Sequence, residues 1–272
     1  AENYYTDFQK LVSNSDIAAV SIATPDFAHL EPALAAIRAG KHVLVEKPLA
    51  TTVEDAEKIL REARQRGIKL MVDFHNRWNP CFLNIKVSID KGDLGIPSLI
   101  YIRLSDARIV PLNWFSWVDK SSVAWFLGSH TVDICRWLFN DEVKKVYCVS
   151  RSKILSQEGT NTPDFFETIL EFGKGGVAVM ENTWILPDTQ PNIIDFKCEV
   201  LGSEGAMYAD ISHHRALEKY TRDKANYPDI FGVAEVYGMA TGFAIESIRH
   251  FVDCVVNDKQ PLVTGEDGLR AT

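Results

Sequence analysis

The sequence predicts an α/β domain on a parallel sheet, followed by an α+β domain on a large, mostly antiparallel open sheet. Three observations carry this. Through the first third, apolar β-branched runs alternate with helical patterns across short connections, which is how strand–helix–strand units read. The strands there are almost continuously apolar, as parallel strands covered on both faces are. Beyond residue 95, strand-like runs follow one another through hairpin turns instead. The expected division is therefore 1–94 and 95–272.

In chain order, DIAAVSIAT (16–24) is a strand stopped by Pro25. HLEPALAAIRAG follows with Leu30, Ala33, Leu34 and Ile37 at helical spacing and Gly40 as its stop. HVLVEKP (42–48) is the second strand. TTVEDAEKILREARQRG (51–67) is a helix with an apolar stripe at Val53, Ala56, Ile59, Leu60 and Ala63. Thr51 with Glu54 fits a capping box, and Glu54/Lys58, Glu57/Arg61 and Glu62/Arg66 fit i,i+4 pairs. KLMVDF (69–74) is the third strand. Later, residues 96–109, 143–154, 164–172, 177–186 and 195–210 read as strands, with GKGG between Phe172 and Val177 as a hairpin turn. SHTVDICRWLF (129–139) is a short helix. A final helix at 243–257 carries Ala244, Ile248, Phe251, Val252 and Val255 on one face.

Composition narrows the function. The 272 residues carry a net charge of −8, which disfavours nucleic acid and anionic membrane as partners. No run of 18 apolar residues occurs, and AENYYTDFQK is no secretory leader, so a cytoplasmic protein is expected. The cysteines (Cys81, Cys135, Cys148, Cys198, Cys254) form no CxxC pair and read as buried reduced thiols, with no metal site.

Open parallel sheets bind ligands at the carboxyl ends of their strands. Those ends here carry Ala23-Thr24-Pro25, with His29 one turn further on, then Glu46-Lys47-Pro48, then Phe74-His75-Asn76-Arg77. Each alone could be a loop beginning in polar residues; three together point to a ligand cleft. A lysine beside a carboxylate at the rim of an apolar sheet can exchange a proton or polarise an oxygen. The competing reading is a surface Glu–Lys pair next to a turn proline, and a cis Lys-Pro bond is plausible. In the short helix, His130, Asp133 and Trp137 share one face, opposite Val132, Cys135 and Phe139. Trp114, Trp117 and Trp125 precede it; indole faces suit sugar rings, although packing is the commoner fate of tryptophan.

VSIATPDFAH and AGKHVLVEKPLA resemble the Gfo/Idh/MocA family of NAD(P)-dependent oxidoreductases, which includes glucose-fructose oxidoreductase and inositol dehydrogenases. The likeness continues through DFHNRWNP, LGSHTVDICRWL, GSEGAMYAD and the last thirty residues, so it spans essentially the whole chain. It implies a Rossmann domain, then a domain whose open sheet commonly forms a homodimer or homotetramer interface. It implies NAD or NADP as cofactor and a carbohydrate-like small molecule as substrate. By resemblance, Thr24, Pro25, His29, Glu46, Lys47 and His75 line the dinucleotide, and Lys47 and His130 are catalytic. Asn76, Arg77, Trp114, Trp125 and Asp133 are candidate substrate contacts. An imidazole would take the hydroxyl proton while the lysine stabilises developing negative charge.

Two departures qualify the resemblance. No Gly-x-Gly-x-x-Gly turn occurs in these residues. The resemblance sets residue 1 after that first unit, near a short strand at NYYTD, in what reads as a partial Rossmann sheet; this chain alone is expected to bind NAD(P) weakly or not at all. Many members also carry an aspartate four residues before the catalytic histidine, where this chain has Phe126. The leading expectation is hydride transfer between NAD(P) and a sugar, polyol or related cyclic alcohol or ketone. The alternatives are a cofactor-sensing or scaffold homologue without turnover, and an NAD-using redox-neutral lyase or glycosidase.

Overall fold

The computed structural model describes residues 4–212, 217–223 and 225–272. In chain order it holds α1 (Phe8–Val12), β1 (Ala19–Ile22), α2 (Leu30–Arg38), β2 (His42–Val45), α3 (Val53–Gln65) and β3 (Leu70–Val72). Then come α4 (Pro80–Lys91), β4 (Pro97–Asp106), α5 (Ser129–Phe139), β5 (Val143–Arg151), α6 (Ile154–Gln157) and β6 (Phe165–Phe172). They are followed by β7 (Val177–Thr183), β8 (Ile194–Gly202), β9 (Ala206–Asp210), β10 (Lys219–Tyr220) and β11 (Ala225–Asn226). Last are β12 (Ala234–Val236), β13 (Met239–Thr241), α7 (Phe243–Val256) and α8 (Gly265–Ala271). Residues 4–7 hold no strand, contrary to the expectation for NYYTD; Asn3 lies outside the described residues.

The first compact unit comprises Ala1–Phe74 and Ser247–Thr272. Its sheet is β1-β2-β3, parallel throughout, with Ile22 opposite Val45 and Val45 opposite Val72. Buried Val43, Leu44 and Val45 explain the unbroken apolar run of β2. Helix α3 buries Ala56, Ile59, Leu60 and Ala63, while Val53 turns outward. Its cap is Thr52, whose side chain accepts from the Asp55 amide, one residue later than expected; the TTVED run offers a hydroxyl and an acid in either register. Glu62 is bound bidentately by Arg38 of α2. Helix α8 opens on a Thr264–Asp267 capping box and lays Gly265 and Gly268 on the sheet. A β-carbon on Gly268 would lie 2.6 Å from Val72 Cγ2 and 2.9 Å from Leu49 Cβ, so only glycine fits.

The second unit is His75–Glu246. Its six-stranded sheet runs β5-β6-β7-β4-β8-β9, antiparallel except for the parallel pairing of β4 with β7. The expected strand at 195–210 divides into β8 and β9 because the chain turns where the Gly202 amide donates to the Gly205 carbonyl. One face is core: Ile100, Ile102, Leu104, Met180, Cys198 and Val200 pack with Phe82 and Ile85 of α4 and Ile134, Cys135 and Leu138 of α5. The other face carries one registered row, Tyr147–Ile169–Val179–Tyr101–Glu199–Tyr208, in which Tyr147, Ile169, Tyr101 and Tyr208 are exposed.

The observed division differs from the expected 94/95. Helix α4 and Leu94 belong to the second core, and the C-terminal tail belongs with β3 and α3. Helix α7 also differs: its buried residues are Ser247, Phe251 and Cys254, while Ile248 and Val252 are exposed. The stripe was misjudged because one buried position is polar. All five cysteines are free, and Cys148 is exposed on edge strand β5 rather than buried.

Candidate active site

In the first unit, three parallel strands end in the same direction and deliver their loops to one edge. The Glu46 amide donates to the Ile22 carbonyl, which holds the β2 exit beside the β1 exit. Glu46 and Lys47 are half-buried there, Pro48 is buried, and the Lys47–Pro48 peptide is cis. Thr24 is exposed, and its hydroxyl donates to the Ala28 carbonyl. Pro25 precedes a 3-10 turn at Asp26–Ala28.

His29, expected to line the dinucleotide, sits between two strand-end loops. It is 1 % exposed, with Nδ1 2.7 Å from the Pro48 carbonyl and Nε2 3.0 Å from the Thr24 carbonyl. Burial lowers its pKa against the pull of those two carbonyls, and a neutral ring donates to one of them at a time. The ring is thus a brace between two strand-end loops.

Asp73 is a strand-end carboxylate that sequence reasoning passed over. It is the first residue beyond β3, is 4 % exposed, and accepts a 2.7 Å hydrogen bond from Ser247 Oγ. Burial, aided by the Glu46 charge, pushes its carboxyl up to about 7 against the opposing pull of Ser247 and Lys47. The signal was available: extending the strand to Phe74 hid a carboxylate that stands at the strand's end, as Glu46 does.

In the second unit, a 3-10 turn at His75–Trp78 meets one face of α5. His75 and His130 pack edge to face with centroids 4.9 Å apart. Arg77 donates to both oxygens of Asp133 at 2.9 and 2.6 Å, and its guanidinium lies 5.8 Å from the Trp137 ring centroid. The helix face read from the sequence, His130–Asp133–Trp137, therefore meets one turn. Arg77 and Asp133, expected as substrate contacts, are hydrogen-bonded to each other. Asn76 is buried within the turn.

A π-helical turn at Ala124–Gly128 leads into α5. Thr131 Oγ1 donates to the Gly128 carbonyl at 3.0 Å and lies 3.2 Å from Asn182 Oδ1; Asn182 Nδ2 donates to the Leu104 carbonyl. These buried polar links, which sequence reasoning missed, fix the helix start beneath His130. Phe126 packs with Phe115, Trp117 and Trp184 at centroid distances of 4.7, 6.5 and 5.9 Å. Trp125 is half-buried and Trp114 is 56 % exposed.

Two family models match the chain. Residues 1–74 match the oxidoreductase family model with an NAD-binding Rossmann fold, and residues 82–208 match the GFO/IDH/MocA C-terminal domain. The chain is 24% identical to a myo-inositol 2-dehydrogenase of Thermotoga maritima, across 99% of this chain and 79% of that protein. It is 27% identical to a 1,5-anhydro-D-fructose reductase of Ensifer adhaerens, across 97% and 77%. The fold matches a scyllo-inositol dehydrogenase of Lactobacillus casei, solved with NAD(H) and scyllo-inositol, at a TM-score of 0.79 and 20% identity over 97% of this chain and 78% of that one. These matches define a nicotinamide-dependent oxidoreductase. The chain belongs to the Gfo/Idh/MocA family.

Proposed function

We propose that the protein transfers a hydride between NAD(P) and a carbon of a sugar, polyol or related cyclic alcohol or ketone. The observation that carries this reading is the end of β2, where Glu46 and Lys47 stand beside buried Pro48 at the carboxyl edge of a parallel sheet. The donor set there fits the cofactor: a carboxylate accepts from ribose hydroxyls and an ammonium donates to an oxygen. Thr24, Pro25 and Glu46 would hold the dinucleotide, with His75 a further contact. Bound there, the nicotinamide supplies the hydride acceptor or donor. Lys47 would hydrogen-bond the reacting oxygen and stabilise its developing charge. His130 would take the hydroxyl proton, with its ring held edge-on to His75. Asn76 and the exposed Trp114, with Trp125, remain the candidates for sugar contact.

The same reading places the protein in the cytoplasm, where free thiols persist, and pairs copies through the open sheet face, whose exposed tyrosines and isoleucine suit burial.

Nicotinamide absorbance followed with a panel of inositols, aldoses and anhydroketoses tests the reaction, using the protein that carries this chain. A substrate-dependent absorbance change, reduced about 100-fold or more by Lys47→Ala, is expected. Cofactor binding with no turnover of any polyol or sugar would sink the reading. Product without net absorbance change would replace it with redox-neutral chemistry.

A further inference from the structure

Helix α5 begins without a cap of its own. Gly128, at its N-cap position, has helical dihedrals of φ −61° and ψ −32°, and no side chain caps the first turn there. The chain enters straight from the π turn at Ala124–Gly128. A π turn holds more residues than an α turn, and gaining or losing one residue there turns the helix by about 100°. His130 is the second residue of α5, so the direction of its ring follows that register. The register is held from the sheet. Asn182 of β7 is 1 % exposed, and its Nδ2 donates to the Leu104 carbonyl of β4 at 3.0 Å. That bond fixes the amide, because the reverse orientation would set two carbonyl oxygens against each other. Oδ1 therefore faces α5, 3.2 Å from the fully buried Thr131 hydroxyl, which lies 3.0 Å from the Gly128 carbonyl. The one proton of that hydroxyl stands between an acceptor on the π turn and an acceptor on the sheet. Gly128 fits the same contact: its φ suits any residue, but a β-carbon there would stand 3.3 Å from Asn182 Oδ1. Ser129 Oγ ties the helix start back to the π turn through the Trp125 carbonyl at 2.8 Å, and Asn182 ties it to β4.

We propose that Asn182 is a positioning residue for the reaction: through the Thr131 hydroxyl it fixes the register of α5 and so aims the His130 imidazole. His130 is the group that would meet the substrate hydroxyl, and Asn182 acts on it only through the helix start. A base misplaced by a fraction of a turn keeps its chemistry and loses its reach, so the chemical step suffers and binding does not. The inference rests on the proposed role of His130 and adds a buried residue of β7 to it.

The test separates positioning from folding. The kcat per cofactor-binding site, the KM and the cofactor affinity are measured in the protein that carries this chain, so that unfolded molecules drop out of the count. Asn182→Ala and Thr131→Val are expected to lower kcat about 30- to 100-fold while KM and cofactor affinity change less than about threefold. Thr131→Ser keeps the hydroxyl and is expected to hold kcat within about threefold. The double variant Asn182→Ala/Thr131→Val is expected to lose no more than the worse single one, because both cut the same link. Unchanged kcat per site in both single variants, or losses that multiply in the double variant, overturns the inference. Ring resonances of isotopically labelled histidines read the same link without turnover. Those of His130 are expected to shift in Thr131→Val while those of His42 and His250, in the first unit, stay in place. His130 resonances that do not move overturn the inference as well. Should Asn182→Ala fail to fold, Thr131→Val and Thr131→Ser still decide. Unchanged kcat in an active enzyme defeats this inference alone. A shifted His130 in a protein that turns over no polyol or sugar defeats the proposed function instead.

Discussion

Arg77 and Asp133 carry opposite charges into the interior of the second unit, where neither could be held alone. Asp133 is 1 % exposed and meets the guanidinium through two hydrogen bonds. A buried pair of this kind adds little net stability over apolar residues, yet breaking it is expensive because one charge is left uncompensated. Asp133→Asn is therefore expected to cost about 3 kcal/mol in urea denaturation. Arg77→Met combined with Asp133→Leu should recover most of that loss. Equal destabilisation by the single and double variants would sink this account of the pair. Residue types alone flagged both positions but could not say that each is the other's partner, since 56 residues separate them in the chain. His29 was legible as a strand-end histidine for the same reason, and its burial was not. Phe126 could be seen as a missing carboxylate, whereas its packing with Phe115, Trp117 and Trp184 is a tertiary fact.

Elements were easiest to read where local chemistry and packing agree. Strands β1, β2 and β3 and helices α2 and α3 follow from apolar periodicity with glycine stops, and Gly40 and Gly67 do adopt positive φ. Helix α4 was not read at all. Its apolar residues are spaced unevenly and include Val87 and Leu83, which are exposed. Its ends are nevertheless written plainly: Asn79 caps the Cys81 amide, Pro80 opens the first turn, and Gly92 closes it at φ 84°. Missing those caps moved the expected domain boundary by twenty residues, from 74 to 94. Helix α8 depends on a different local choice, the glycines that let it sit on β3. Gly268→Ala would push a methyl group into Val72 and Leu49, and Leu49 is fully buried. Such overpacking costs about 1–3 kcal/mol. The expected outcome is a lowered urea midpoint and faster proteolysis of the C-terminal tail. An unchanged midpoint would mean that α8 shifts freely and that its glycines are incidental.

At the scale of the whole chain, charge links the candidate site to stability. Among the described residues, several groups titrate differently once folded, and their signs oppose. Arg38 lowers the pKa of Glu62, and Lys259 lowers that of Asp253, so both carboxylates favour folding above the ordinary carboxylate range and lose that contribution in acid. Burial lowers His29, His42 and His250, which therefore cost stability as pH falls below about 6.5. Asp73 runs the other way. Its folded pKa of about 7 lies above its ordinary value of 3.8, so the folded chain binds the extra proton in that interval. Its contribution is fully present below pH 3.8 and is lost as pH rises through 7. A raw stability profile mixes these groups, but the difference between Asp73→Asn and the unmodified protein cancels all except Asp73 and the neighbours coupled to it. That difference should be flat below about pH 4. It should then rise in favour of the variant by up to about 1.4 kcal/mol per pH unit, and level off above about pH 8, for a total of at most about 4 kcal/mol. Urea midpoints taken at unit intervals from pH 4 to 9 would trace it. A difference that stays flat through neutrality would mean that Asp73 ionises as an ordinary carboxylate.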